Sequence, residues 1–286
     1  MPQVYVVAGP TAGGKSARAI ELARQHNGVI INADSMQIYD ALPILAAQPS
    51  TDDRQKAPHV LYGMMPPNED ISAGLWVGMA REEIENAFAH GQTPIITGGN
   101  GMYIKALMEG LSEMPQVPMD VREHVNNLQK KLGNPGFYKE LKKRDPEMAA
   151  RFHPNHTARL VRAYEVLEAT GKSLAVWQAN DKNVPPDDWD FVVEVIMPER
   201  DVLIERCNRR FDQMLENGAL DEVEDLADKI ECGDVRPNAL ITKALGFKPL
   251  AAYLRGEISR EEAIEKSQTQ TRQYAKRQTT WFKNQL

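Results

Sequence analysis

The most specific chemistry in the chain lies near its start. Gly9-Pro10-Thr11-Ala12-Gly13-Gly14-Lys15-Ser16 has the GxxxxGKS spacing of a phosphate-binding loop. Glycines at these positions let successive backbone N–H groups converge on phosphate oxygens. A following helix adds positive potential at its N-terminus, Lys15 brings a charge, and Ser16 offers a hydroxyl to Mg2+. At average composition such a match arises by chance in about 1% of chains this long, so the loop points to a bound diphosphate or triphosphate. Phosphoryl-transfer enzymes built on this loop add a second carboxylate at the end of an apolar strand. Here the apolar run ending at Thr97 leads into Gly98-Gly99-Asn100-Gly101, with no carboxylate, which counts against nucleotide hydrolysis.

A carboxylate does follow another apolar run, in Asn32-Ala33-Asp34-Ser35-Met36-Gln37-Ile38-Tyr39. An aspartate after a strand commonly caps a turn. With Ser35 and Gln37 beside it, Asp34 reads instead as part of a binding cluster.

These residues need a frame that brings them together. Residues 3–8 form a β-branched run closed by Gly9-Pro10, and 16–25 carry apolar residues at helical spacing. Further strands are expected at 29–31, 59–62 and 94–97, with helices at 73–89 and 102–108. This alternation predicts an α/β fold, a phosphate-loop NTPase-like core with a mostly parallel sheet covered on both faces. Right-handed crossovers then bring the C-terminal strand ends to one edge, where such folds bind ligands.

From residue 112 the texture changes. Helical patterns run over 119–132, 135–144, 147–152 and 156–170 without a strand between them. The β-branched run 191–197 then reads as a last strand rejoining the first sheet, and helices are expected at 202–217, 220–230 and 261–282. The core is therefore assigned to 1–111 and 190–286, interrupted by an all-helical insertion domain at 112–189.

Composition narrows the class. The 286 residues suffice to bury roughly three quarters of the unfolded surface, and 42% hydrophobic with 26% charged residues describes an ordinary globular protein. Cys207 and Cys232 are too few and too far apart for a disulfide framework or a zinc site. No apolar run reaches a membrane span and no basic leader opens the chain, so a cytoplasmic protein without a membrane partner is expected. With 34 basic and 40 acidic residues the net charge is −6, which excludes an all-round basic nucleic-acid binder.

The distribution of that charge says more. Residues 266–286 hold Lys266, Arg272, Lys276, Arg277 and Lys283 and no acid, with Arg272 and Lys276 at helical i, i+4 spacing. Arg159 and Arg162, followed by Lys172, form a second basic strip, and Arg122 a weaker third. Asp221-Glu222-Val223-Glu224-Asp225 reads as a solvated helix face, and Asp52-Asp53 as part of a polar loop.

The blocks GPTAGGKS (9–16), ADSMQIY (33–39), TGGNGMYIKAL (97–107), HPNHTARLVRAYEVLEATGK (153–172) and TRQYAKRQTTWF (271–282) together resemble the tRNA dimethylallyltransferase family, in family order across nearly the whole chain. Ser16, Asn100 and Lys243 stand where the family more often has threonine, threonine, and arginine or glutamine. The lack of a C-terminal zinc finger resembles the bacterial type. The resemblance implies transfer of a dimethylallyl group from dimethylallyl diphosphate to the exocyclic amine of the adenosine 3′ of the anticodon, position 37.

In that reading Gly9, Pro10, Thr11, Ala12, Gly13, Gly14, Lys15 and Ser16 hold the diphosphate, with Mg2+ on Ser16, and Asp34 is the general base that takes the amine proton. The adenine must be flipped out of the anticodon loop into a pocket, lined by Ser35, Met36, Gln37 and the 99–103 turn, with Asn100 and Gly101 on the RNA side. The resemblance extends RNA contact to Arg122, Ala158, Arg159, Leu160, Val161, Arg162, Lys243, Arg272 and Lys276, makes the helical insertion the grip on the anticodon stem-loop, and implies a monomer. The competing readings are a small-metabolite kinase using ATP, a nucleotide-controlled RNA-binding protein, and an enzyme that prenylates free adenine nucleotides.

Overall fold

In a computed structural model, which describes residues 1–286, the chain forms two units: Met1–Met108 with Pro185–Leu286, and Glu109–Val184. The first unit begins with β1 (Gln3–Ala8), α1 (Lys15–Gln25), β2 (Gly28–Asn32), α2 (Thr51–Lys56), β3 (His59–Val60), α3 (Ala73–Ala89), β4 (Thr93–Gly98) and α4 (Gly101–Glu109). The second unit holds β5 (Leu111–Ser112), α5 (Met119–Arg144), α6 (Pro146–Arg151), α7 (Thr157–Thr170), α8 (Leu174–Gln178) and β6 (Lys182–Asn183). The chain then returns through β7 (Asp190–Val195), α9 (Arg200–Glu216), α10 (Ala219–Glu231), a 3-10 turn (Leu240–Lys243), α11 (Phe247–Leu254) and α12 (Arg260–Gln285). None of these helices is long and apolar enough to cross a membrane.

The main sheet has the order β3-β2-β4-β1-β7 and every pair is parallel, so 191–197 does rejoin the first sheet. Its central strands are largely apolar: Val29, Ile30, Ile31, Ile95 and Ile96 are all buried, as strands covered on both faces require. Each such side chain contributes about 1.5–3 kcal/mol of burial free energy. The register sets the site. Ala8 lies opposite both Gly98 and Val195, and Asn32 opposite Thr97, so the loops leaving β1, β2 and β4 start level at one edge.

At that edge the residue after β1 has no room for a side chain. Gly9 has φ +144°, and a Cβ there would run into the carbonyl oxygen of Ile196.

The second unit has its own core, in which Phe137, Leu141, Met148, Leu160 and Val166 are wholly buried. Its boundaries, Glu109–Val184, differ by a few residues from the expected 112–189, and it is not purely helical. An antiparallel ribbon pairs Leu111 with Asn183 and Ser112 with Lys182, a pairing across about 70 residues that no local pattern announces. The expected break between helices 119–132 and 135–144 is real. Gly133 adopts φ 60°, ψ 174° within α5, one residue before the Asn134-Pro135 step.

Two acidic stretches differ from expectation, one read as a loop and one as a solvated helix face. Asp52 and Asp53 form the first turn of α2, where Asp53 and Ser50 cap each other. Glu222 is half-buried rather than solvated: its carboxylate accepts the N–H groups of Ile44 at 2.8 Å and Leu45 at 3.0 Å.

Candidate active site

The phosphate loop closes on itself before it meets α1. Gly13 N–H donates to Pro10 O at 3.1 Å, and Lys15 Nζ reaches the same carbonyl at 2.7 Å. Gly14 caps α1 with φ 104°, leaving the first N–H groups of that helix directed into the loop. Burial pushes Lys15 down to about 8, with Arg210 adding to the effect and the negative charge of Asp34 opposing it.

Cationic partners come from α9, and no reading of the sequence had placed them here. Arg210 donates to the Thr11 hydroxyl, Arg206 Nη1 to Gly13 O at 3.4 Å, and Arg209 lines the same cavity. Burial lowers the pKa of Arg210 as well. The available signal was the 206, 209, 210 spacing, which puts three guanidinium groups along one helix face. Four cations and one carboxylate thus line this cavity, with Arg209 partly offset by Glu205 at 3.9 Å, an excess of positive charge that suits a polyanionic ligand.

Asp34 is set by its neighbours at the end of β2. Buried Asn32 donates to Asp34 O and Leu61 O, both at 2.9 Å, and its Oδ1 accepts Asp34 N–H at 2.8 Å. Trp76 Nε1 donates to Asn32 O at 2.8 Å. The Asp34 carboxylate accepts Met36 N–H at 2.9 Å through Oδ1 alone, so its second oxygen can still accept a proton or hydrogen bond.

Two cavities meet at these residues. One, of about 490 Å3, is lined by the loop from Thr11 to Ala17 and by the α9 arginines. The other, of about 310 Å3, has Met36, Leu45, Phe211 and Met214 in its wall, with Lys243 and Arg277 contributing cations. Thr11, Asp34 and Arg210 line both.

The remaining site residues divide. Ser35 and Met36 line the second cavity, whereas Gln37 faces the phosphate side and spends both amide protons on Ala46 O and Ala47 O. Asn100, Gly101 and Met102 line a third cavity of about 210 Å3 with Tyr274, Arg277 and Trp281. Tyr103 is not in it: its ring is buried and stacks on Trp76 with centroids 5.0 Å apart. Asn100 Oδ1 accepts Tyr103 N–H at 3.4 Å, at the start of α4.

The basic strips are partly neutralised. Arg272 is tied to Asn208 and Glu265 at 2.8 and 2.9 Å, and Lys266 pairs with Glu262 at 2.7 Å. Lys276, Arg277 and Lys283 have no ion-pair partner, and Arg277, beside Tyr274, lines two of the cavities. In the insertion Ala158 and Arg159 are exposed, Val161 is half-buried, and Leu160 is in the core with no side-chain surface to offer. Arg162 is half-buried beside Glu165 at 3.9 Å, with Arg122 close enough to act on both charges.

A magnesium ion can be tested against these donors. No cluster of three or more histidine, cysteine, aspartate or glutamate side chains is assembled anywhere in the chain. Ser16 and Asp34 do line the phosphate cavity together. One hydroxyl and one carboxylate, completed by ligand oxygens and water, fit the sparse protein coordination that Mg2+ takes beside phosphates.

Comparison with known proteins agrees with the geometry. Residues 37–285 match the family described as IPP transferase, and residues 2–64 the family described as isopentenyl transferase. A tRNA dimethylallyltransferase of Rhodospirillum centenum is 45% identical over 99% of this chain and 89% of its own length. One of Paramagnetospirillum magneticum is 46% identical over 98% and 88%. Among solved structures, a tRNA isopentenylpyrophosphate transferase of Staphylococcus epidermidis aligns with TM-score 0.68 at 34% identity, covering 100% of this chain and 91% of that one. A eukaryotic dimethylallyltransferase acting on tRNA aligns with TM-score 0.82 at 29% identity, over 99% and 70%. With a phosphate loop, a carboxylate at the next strand end and similarity running the length of the fold, the chain belongs to the IPP transferase family, among the tRNA dimethylallyltransferases.

Proposed function

We propose that the protein transfers a dimethylallyl group from dimethylallyl diphosphate to the N6 amine of adenosine 37 in tRNA, releasing diphosphate. The observation that carries this reading is the shared wall. A cationic cavity suited to diphosphate and a mixed cavity, with Met36, Leu45, Phe211 and Met214 in its wall and suited to a flat base, meet at Thr11, Asp34 and Arg210.

In the proposed reaction the allylic C–O bond breaks and its electron pair leaves with the diphosphate, while the adenine nitrogen forms the new C–N bond. Lys15, Arg210 and the loop N–H groups stabilise charge developing on the leaving oxygens, and the Thr11 hydroxyl is oriented by Arg210. Asp34 accepts the amine proton as the nitrogen becomes cationic. Ser16 would hold Mg2+ against the diphosphate, where the ion would add further charge neutralisation.

RNA contact would come from Lys243, Lys276 and Arg277 on the first unit and from Arg159 on the insertion, whose own folded core supports its role as a separate grip on the anticodon stem-loop. A free nucleotide would need no such unit.

Incubation with dimethylallyl diphosphate, ATP, AMP and unmodified tRNA tests the proposal. Mass gain on tRNA alone, mapped to adenosine 37, is expected. Phosphate transfer from ATP, or prenylation of AMP, would overturn it.

A further inference from the structure

Helix α12 sends one polar side chain between the phosphate loop and the turn after β4. Gln278 is 5% exposed. Its Oε1 accepts Thr11 N–H at 2.8 Å and its Nε2 donates to Gly99 O at 2.8 Å. Tyr274 lies one turn earlier on α12, close enough for its hydroxyl to interact with the same amide. There is no slack at this contact, because a Cβ on Gly99 would run into Gln278 Nε2.

Both ends of the bridge lead to reacting groups. Thr11 is held through its backbone by Gln278 and through its hydroxyl by Arg210. Beyond Gly99, Asn100 N–H donates to Ala33 O at 3.1 Å, and Ala33 N–H donates to Thr97 O at 2.7 Å. Ala33 immediately precedes Asp34. One amide therefore closes a hydrogen-bonded path from the phosphate loop to the strand end that carries the carboxylate.

We infer that Gln278 is a positioning residue that fixes the separation between the phosphate loop and Asp34, and with it the distance from the departing diphosphate to the attacking amine. The inference rests on the function proposed above. Gln278 reaches neither substrate in this role; it acts through Thr11 and Gly99. A shift of about 1 Å between reacting groups can cost about 10²-fold in rate, whereas binding of each substrate by its own subsite is little affected.

The test uses the full chain. Gln278→Met keeps the length of the side chain and removes both hydrogen bonds. We expect kcat to fall about 10- to 100-fold, with KM for dimethylallyl diphosphate and tRNA, and Kd for inorganic diphosphate, within about threefold of wild type. Gly99→Ala keeps the Gln278 amide itself and pushes it from the other side, so it keeps the test alive if Gln278→Met folds poorly. It should lower kcat in the same way, and the double variant should lose no more than the worse single one, because both act on one contact. Wild-type kcat in both single variants, a raised KM with kcat intact, or independent losses in the double variant would overturn the inference while wild type remains active. A wild-type protein that modifies no tRNA would overturn the functional reading and this inference with it.

Discussion

Arg210 donates a hydrogen bond to the hydroxyl of Thr11, across 199 residues of sequence. It ties the helix that follows the last strand to the loop that follows the first. Because Arg210 is also buried beside Lys15 and near Asp34, its charge acts with little screening at the junction of the two cavities. Arg210→Ala should lower kcat by about 10²- to 10³-fold, the scale of losing a preorganised donor at a leaving oxygen. Arg210→Lys should fall between, since an ammonium lacks the guanidinium fork. Single-turnover kinetics with bound tRNA would measure both.

Asp34→Ala should reduce turnover by about 10²-fold or more, with tRNA affinity nearly unchanged. Unchanged turnover would remove Asp34 from the mechanism. Because Asn32 makes two hydrogen bonds to the Asp34 backbone and anchors them with a third to Leu61 O, Asn32→Ala should also slow the reaction while leaving the carboxylate in place.

If diphosphate binds beside Lys15, its affinity should depend on pH in the alkaline range. The free-protein value of Lys15, about 8, means that it is charged below that pH and largely neutral above it. A bound diphosphate favours the charged form, so above pH 8 binding must take up a proton. Affinity for inorganic diphosphate should then fall by up to about tenfold per pH unit, relative to Lys15→Met, which should bind weakly with no break near pH 8. Parallel profiles for the two proteins would contradict the assignment.

Arg159 and Arg162 should differ, although their spacing makes them look alike. Arg159 is exposed, whereas Arg162 is half-buried beside Glu165. If Arg159 contacts an RNA phosphate, Arg159→Ala should reduce the salt dependence of tRNA binding by about 0.7–0.9 in log–log slope. Arg162→Ala should act chiefly on stability, by stripping the buried Glu165 of a partner. Affinity titrations at several salt concentrations, with thermal melts, separate the two.

Glu222 offers a stability test remote from the chemistry. Glu222→Ala leaves the N–H groups of Ile44 and Leu45 without their acceptor, at a cost of about 1–3 kcal/mol. Since Leu45 lines the mixed cavity, KM for tRNA should rise as well. Urea unfolding and steady-state kinetics check the two halves.

The strand and helix assignments were legible because each depends on local periodicity. Buried parallel strands read as short apolar runs, and the 29–31 and 94–97 expectations lie within β2 and β4. The β5–β6 ribbon was not legible, since two-residue strands carry no period and their partners lie far apart. Charge patterning misled in the same way. Residues 266–286 contain no acid, yet Lys266 and Arg272 are paired with Glu262 and Glu265, just outside that window.

By itself the sequence determined the GxxxxGKS loop, the succession of strands and helices along the chain, the presence of an insertion and the candidacy of Asp34. All of these are written in contiguous residues whose conformations and spacing are local matters. Only the tertiary structure decided which cations join the loop, which way Gln37 and Tyr103 turn, and that Gln278 bridges Thr11 to Gly99. Those outcomes depend on how α9 and α12 pack against the sheet edge. Such packing is settled by the burial of whole helix faces, and no pattern in a short window specifies it.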